Sequence, residues 1–293
     1  MRGSQMIYEY KEYVEQTIEK YLPKSDGPFS RLNEAMRYSA CLGGKRIRPI
    51  LMRLAYEAVG GTGNIDAYMC AIEFVHTYSL IHDDLPAMDN DDLRRGKPTN
   101  HIQFDEATAI LAGDGLLTYA FEVMFADMTQ DVDSAKVIAA GILASAAGVN
   151  GMVAGQMLDI QSEGKEIDIE TLDLIHLNKT GALISGATKM GAVLGYGNAQ
   201  EVAALEAYGM YLGKVFQIVD DILDETGEVE QLGKPINSDI ENGKITYTRY
   251  YTSQECYEIA TKLTDKAIKC LDRVDGDTQM LEDIAKMLID RRQ

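Results

Sequence analysis

The sequence has no tryptophan, and only 6 prolines and 4 cysteines among its 293 residues. Scarce proline leaves long stretches free to run as helix, because each proline removes a backbone donor and crowds the turn before it. The cysteines, Cys41, Cys70, Cys256 and Cys270, are far apart and form no CxxC pair. That excludes the common zinc and thioredoxin-type signatures and predicts reduced thiols in a cytosolic chain. Cations are also scarce: 28 Lys and Arg stand against 46 Asp and Glu, a formal net charge of -18. A field of that sign disfavours nucleic acid and anionic membrane surfaces as partners. No GxxxxGK[ST] loop and no GxGxxG after a strand occurs, so P-loop and dinucleotide sites are not indicated. The first residues lack the apolar core of a secretory signal. No apolar run is read as approaching the roughly 20 residues of a membrane span, and alternating strand patterns are absent.

What is present is helical periodicity. Apolar residues recur at three- and four-residue spacing and predict helices over about 6–21, 29–41, 46–59, 65–85, 106–127, 133–148, 149–162, 168–195, 199–226, 253–272 and 276–291. Gly60-Gly61-Thr62-Gly63 and Gly195-Tyr196-Gly197 read as helix stops. The stretch from about 227 to 247 is polar and glycine-bearing and reads as a long loop of functional character. No linker or low-complexity tract divides the chain, which predicts one helical domain over 1–293.

Two acidic clusters interrupt this pattern. In FQIVDDILDETGE, Asp220 and Asp224 are four apart and share a helix face, with Asp221 beside them. Like charges at that spacing repel, so a cation is expected to compensate them. In LIHDDLPAMDNDD, Asp83 and Asp89 are too far apart to share a regular face. Pro86 ends the helix, however, and the bend brings Asp89 back toward Asp83, predicting a compact oxygen cage with Asp84. Oxygen donors alone suit magnesium, which is held by one or two carboxylates plus substrate phosphates. With no His or Cys beside the acids, zinc and copper are disfavoured, and the EF-hand spacing is missing. Apolar neighbours (Leu80, Ile81 and Leu85; Ile218, Val219, Ile222 and Leu223) draw both helices into the core.

Cations gather at three places: CLGGKRIRP with Lys45, Arg46 and Arg48, DLRRGKP with Arg94, Arg95 and Lys97, and LGKPINSDIENGK with Lys234 and Lys244. Guanidinium forks suit phosphate oxygens, and lysines act as point charges. Acid cages and basic patches together point to one diphosphate bridged by magnesium and a second held directly by cations.

At this point the residues reach a family. DDLPAMDNDDLRRG and DDILD, with GGKRIRP upstream and HTYSLIHDDLP, NKTGALI and GKPINSDIENGKITY elsewhere, resemble the motifs of the trans-prenyltransferases, the short-chain polyprenyl diphosphate synthases. Asn90, where some members carry Asp, is a departure that leaves the acids themselves intact. The resemblance implies an all-α, antiparallel helical bundle around a deep central cavity, the isoprenoid synthase type, acting as a cytoplasmic homodimer. It implies head-to-tail condensation of isopentenyl diphosphate with an allylic diphosphate. Asp83, Asp84 and Asp89, with Asp220, Asp221 and Asp224, would hold three magnesium ions on the allylic diphosphate. Arg94, Lys179, Lys234 and Lys244 would surround that diphosphate, and Thr180 and Gln217 would place oxygen dipoles near the allylic cation. Lys45, Arg48, His76 and Arg95 would hold isopentenyl diphosphate. Tyr78 and Ser79, five and four positions before Asp83, lie deeper along the helix at about 1.5 Å per residue. In this family such a bulky residue limits the chain, so the pair resembles the fifteen-carbon, farnesyl type, with the twenty-carbon geranylgeranyl type as the alternative. A terpene cyclase, which shares the helical fold and an aspartate-rich motif, would not need Lys45, Arg48 and Arg95.

Overall fold

In this computed structural model the described residues are 2–226 and 245–290. They pack as two compact units, Met1–Ile50 with Asn64–Ala140, and Leu51–Gly63 with Gly141–Gln293. The predicted loop and its Lys234 and Lys244 lie outside the described residues.

The first unit is built on α4 (Asp66–Asp83), which buries residues all around its circumference. α1 (Arg2–Tyr21), α2 (Ser30–Ala40) and α6 (Glu106–Met128) pack on it. The Tyr13 hydroxyl donates to Asp66 Oδ1 at 2.6 Å, clipping α1 to α4. The Tyr119 hydroxyl donates to the Tyr21 carbonyl at 2.6 Å and does the same for α6. α6 starts on the Asp105 side chain, which accepts from the Thr108 backbone N–H, an N-cap that satisfies an otherwise orphaned donor.

In the second unit α11 (Ala199–Thr226) is the longest helix among the described residues, packed by α10 (Ala182–Leu194), α12 (Ser253–Leu271) and α13 (Gln279–Ile289). Fully buried Tyr208 donates from its hydroxyl to the Leu281 carbonyl at 2.7 Å. α12 opens on a capping box between Thr252 and Glu255, two reciprocal bonds that fix the helix start. α3 (Ile47–Ala58) and α7 (Ser134–Ala147) each carry the chain from one unit to the other; α8 (Met152–Ser162) and α9 (Ile169–His176) complete the second.

The structure corrects the sequence reading in four places. The expected helix over 168–195 is divided, since a π-helical turn, Leu177–Gly181, separates α9 from α10. A two-residue antiparallel ladder is present where no strand was expected: β1 (Leu93–Arg94) pairs with β2 (Lys97–Pro98), Arg94 opposite Lys97. The short helix α5 (Asn100–Gln103) follows it. Finally, Glu106–Met128 and Ser134–Ser162 are each long and apolar enough to cross a membrane by length and composition, contrary to expectation. For α6 the physical reason is interior packing: Ala109, Ala112, Leu116, Ala120 and Met124 form a stripe with no exposed surface within the first unit. The second segment bends between α7 and α8 at residues 148–151.

Candidate active site

α4 carries His76, Tyr78, Ser79 and Asp83 toward its C-terminal end, and the chain then turns sharply. The Asp89 backbone N–H donates to the Asp83 carbonyl at 2.9 Å, and that of Asn90 to the Leu85 carbonyl at 3.1 Å. The fold-back expected from Pro86 therefore exists, with Asp83 and Asp89 tied through the backbone and both half-buried. Asn90 has φ 53°, a left-handed conformation that asparagine tolerates better than most residues, and this accounts for its place in the turn.

Asp84 departs from the expected cage. Only 3% exposed, it points to Arg94, whose Nε lies 2.8 and 2.9 Å from its two carboxylate oxygens. Burial pushes the Asp84 carboxyl above its ordinary range, and Arg94 pulls it back. Asp84 and Arg94 thus neutralise one another, and Asp91 approaches the same guanidinium at 3.7 Å. Among the described residues no group of three or more His, Cys, Asp and Glu side chains stands ready for a metal. The physical reason is visible on this side: with Asp84 turned inward, Asp83 and Asp89 remain, and two carboxylates suffice only together with substrate phosphate oxygens.

The hairpin holds Arg94 and Arg95. Its two-residue loop, Arg95-Gly96, has φ 55° and 73°, the positive pair that matches strand twist in a tight hairpin. The loop is bolted from behind. Thr99 Oγ1 donates to the Asp91 carbonyl at 2.7 Å, Tyr38 hydroxyl to the Pro98 carbonyl at 2.7 Å, and Asn100 Nδ2 to the Ala35 carbonyl at 2.8 Å. The Arg95 guanidinium lies so close to Gly44 that a Cβ there would stand 2.5 Å from Nη1; this ties the GGKRIRP segment to the hairpin. A pocket of about 350 Å³, counting its open mouth, is lined by Thr77, Leu80, Asp84, Arg94, Arg95 and Asn100, among others.

GGKRIRP divides its cations. Arg46, 3% exposed with φ 51°, pairs with buried Glu73 at 2.7 Å and donates to the Ala40 carbonyl at 2.7 Å. It is structural, whereas Lys45 is exposed and Arg48 half-buried. His76 sits among these arginines, and burial together with Arg48, Arg95, Arg94 and Arg46 pushes its pKa well below 6.5. It is a neutral imidazole, a hydrogen-bonding group rather than a cation. Tyr78 is 6% exposed with its ring edge-on to His82 at 5.7 Å, and Ser79 Oγ donates to the His76 carbonyl.

In the second unit the π turn presents Lys179 and Thr180. Such turns, one residue wider than α, are frequent at functional sites. Lys179 Nζ is 2.7 Å from Asp159 Oδ2. Thr180 Oγ1 donates to Gln217 Oε1 at 3.1 Å, and Gln217 Nε2 to Asp221 Oδ1 at 3.0 Å. Asp221, 2% exposed, accepts a further bond at Oδ2 from the Tyr247 backbone N–H at 2.8 Å. Both oxygens of its carboxylate thus accept hydrogen bonds within the second unit. Asp224 is 6% exposed, and Asp220 is the most accessible of the three. Sequence reasoning missed Asp159, Asp173, His176, Lys214 and Tyr247. The only signal for any of them was position: Lys214 is three residues before Gln217, and Tyr247 closes the ITY of the loop motif.

Residues 29–287 match the polyprenyl synthetase family. The chain is 48% identical over 245 residues to a farnesyl diphosphate synthase from Geobacillus stearothermophilus, covering 83% of this chain and 82% of that one. It is 43% identical over 290 residues to a geranylgeranyl diphosphate synthase from Cyanophora paradoxa, covering 97% and 95%. An FPP/GFPP synthase structure from Zymomonas mobilis superposes with a TM-score of 0.85 at 34% identity, covering 98% of this chain and 99% of that one. The helical architecture is accordingly that of the isoprenoid synthases, and the chain belongs to the polyprenyl synthetase family.

Proposed function

We propose that this prenyltransferase joins isopentenyl diphosphate head-to-tail to dimethylallyl and then geranyl diphosphate, giving farnesyl diphosphate and inorganic diphosphate. The allylic carbon–oxygen bond breaks, the double bond of isopentenyl diphosphate supplies the electrons of the new carbon–carbon bond, and the departing diphosphate takes the proton that is lost. The observation that carries this reading is the set of guanidinium groups of Arg48, Arg94 and Arg95 around a neutral His76, next to acids tied by the Asp83–Asp89 bond. A cyclase would not require that set.

The family uses divalent metal ions. The donors fit magnesium: Asp83, Asp89 and Asp220 offer hard oxygens at partly exposed positions. Three ions remain our expectation, and a bound ion would supply Lewis-acid stabilisation of the leaving diphosphate. Asp84 and Asp221 act as braces, Asp84 orienting Arg94 and Asp221 orienting Gln217. Arg94, Lys179, Lys234 and Lys244 supply positive charge for the leaving group. Thr180 and Gln217 supply oxygen dipoles for the allylic cation, and apolar surroundings exclude water that would quench it. Tyr78, with Ser79 beside it, ends the product channel.

A geranylgeranyl product is the second reading, favoured by the near full-length relative of that name. We assign the enzyme to the cytosol as one functional domain working as a homodimer, supported by four free cysteines and exposed Ile110, Leu111 and Phe125 on α6. The test is incubation with dimethylallyl and isopentenyl diphosphates and magnesium, with the product sized by chromatography. Inorganic diphosphate released only when both substrates are present, with a fifteen-carbon product, is expected; a twenty-carbon product selects the second reading. Release from the allylic substrate alone rejects both.

A further inference from the structure

Asp220 and Asp224 repel one another on one face of α11, so their direction has to be imposed from outside that face. The second unit contains such an anchor. Tyr247, 2% exposed, is gripped on several sides. Its backbone N–H donates to Asp221 Oδ2 at 2.8 Å, and its hydroxyl donates to Asp173 Oδ1. Lys214 Nζ holds the other oxygen of Asp173 at 2.7 Å and lies 5.8 Å above the Tyr247 ring. His176 and Tyr251 also stack on this ring, at 5.3 and 6.1 Å, and the His176 Nε2 lies 3.9 Å from Asp221. Asp221 passes the constraint on through Gln217 to Thr180. A continuous hydrogen-bonded chain therefore runs Asp173–Tyr247–Asp221–Gln217–Thr180, from α9 to the π turn.

We infer that Tyr247 is a positioning residue for the allylic-diphosphate half of the site: by holding Asp221 inward it fixes the rotation of α11, and so where Asp220 and Asp224 stand and how Gln217 meets Thr180. At about 100° per helical residue, turning residue 221 inward sends residue 220 to a different side. The hydrogen bonds of this chain, from Thr180 through Gln217, Asp221 and Tyr247 to Asp173, all lie within the second unit, so the effect is expected on the allylic half alone. The inference rests on the functional reading above.

The test is Tyr247→Phe, which keeps the ring and the backbone N–H and removes only the hydroxyl on Asp173. Calorimetric titration with geranyl diphosphate in MgCl2, and separately with isopentenyl diphosphate, reads the two halves without turnover. We expect Kd for geranyl diphosphate to rise about fivefold, the effect of one lost hydrogen bond, with Kd for isopentenyl diphosphate unchanged and the melting temperature within about 4 °C of wild type. An unchanged Kd for geranyl diphosphate, or an equal loss for both ligands, overturns the inference. Should Tyr247→Phe fail to fold, Lys214→Met decides in the same way, since Lys214 is half-buried and its loss releases Asp173. A wild type that binds neither diphosphate overturns the functional reading, and this inference with it; a wild type that binds both while the variants match it overturns this inference alone.

Discussion

Adjacent in sequence, Asp83 and Asp84 differ in what their side chains meet. Asp84 is 4% exposed at the side chain and paired with Arg94, itself 17% exposed. Removing one partner of such a pair leaves an uncompensated charge, so Asp84→Ala is expected to cost about 3–5 kcal/mol, measured by denaturant unfolding. Half-buried Asp83 is not buttressed by that pair. Asp83→Ala is expected to leave stability nearly unchanged while turnover falls by about three orders of magnitude. Wild-type-like rates in Asp83→Ala would remove it from the chemistry. His76 gives a pH signature. Its folded pKa is depressed well below 6.5 by burial and by Arg48, Arg95, Arg94 and Arg46. Unfolded, the ring takes up a proton near 6.5; folded, it does so only at much lower pH. Stability from the neutral ring is therefore present above pH 6.5 and is lost as pH falls toward the folded value. His76→Gln is expected to show a flatter decline of melting temperature between about pH 6.5 and 5 than wild type.

Among elements, the hairpin after α4 is the one that decides where two guanidinium groups stand. Gly96 has φ 73° and open space around its Cα, so Gly96→Ala meets backbone strain only, about 1 kcal/mol. Because that strain acts on the loop carrying Arg95, KM for isopentenyl diphosphate is expected to rise more than KM for the allylic substrate, as separate substrate titrations would show. α4 itself orders the site along its axis, with His76 and Tyr78 before Asp83. Tyr78→Ala opens the space next to His82, and a longer product is the expected outcome on chromatography; an unchanged product spectrum would remove Tyr78 as the chain stop. Helix positions were readable in advance because their apolar spacing is local. The hairpin was not, since Arg-Gly is a weak turn signal beside Asn-Gly or Asp-Gly. The π turn was hidden too, because widening a helix by one residue leaves its apolar pattern nearly intact.

For the whole molecule, the apolar surface of α6 is the feature that composition underrated. Ile110, Leu111 and Phe125 are 44%, 59% and 57% exposed, and Leu111 and Phe125, separated by nearly four turns, share a face. Leu111→Glu is expected to shift the proposed dimer to monomer in sedimentation velocity at micromolar concentration. A monomeric wild type would remove α6 as the contact. The sequence by itself determined the helical class, the chemical types gathered at the site and the bend after Pro86, because spacing, side-chain chemistry and proline's missing donor act over a few residues. Tertiary structure alone decided which of these charges face outward. Asp84, Asp221 and Arg46 carry the same formal charges as Asp83, Asp220 and Arg48, yet the first three are buried and the second three only half-buried. A buried charge must find its counter-group or hydrogen bonds, and those partners, Arg94, Tyr247 and Glu73, are brought to it only when the helices pack.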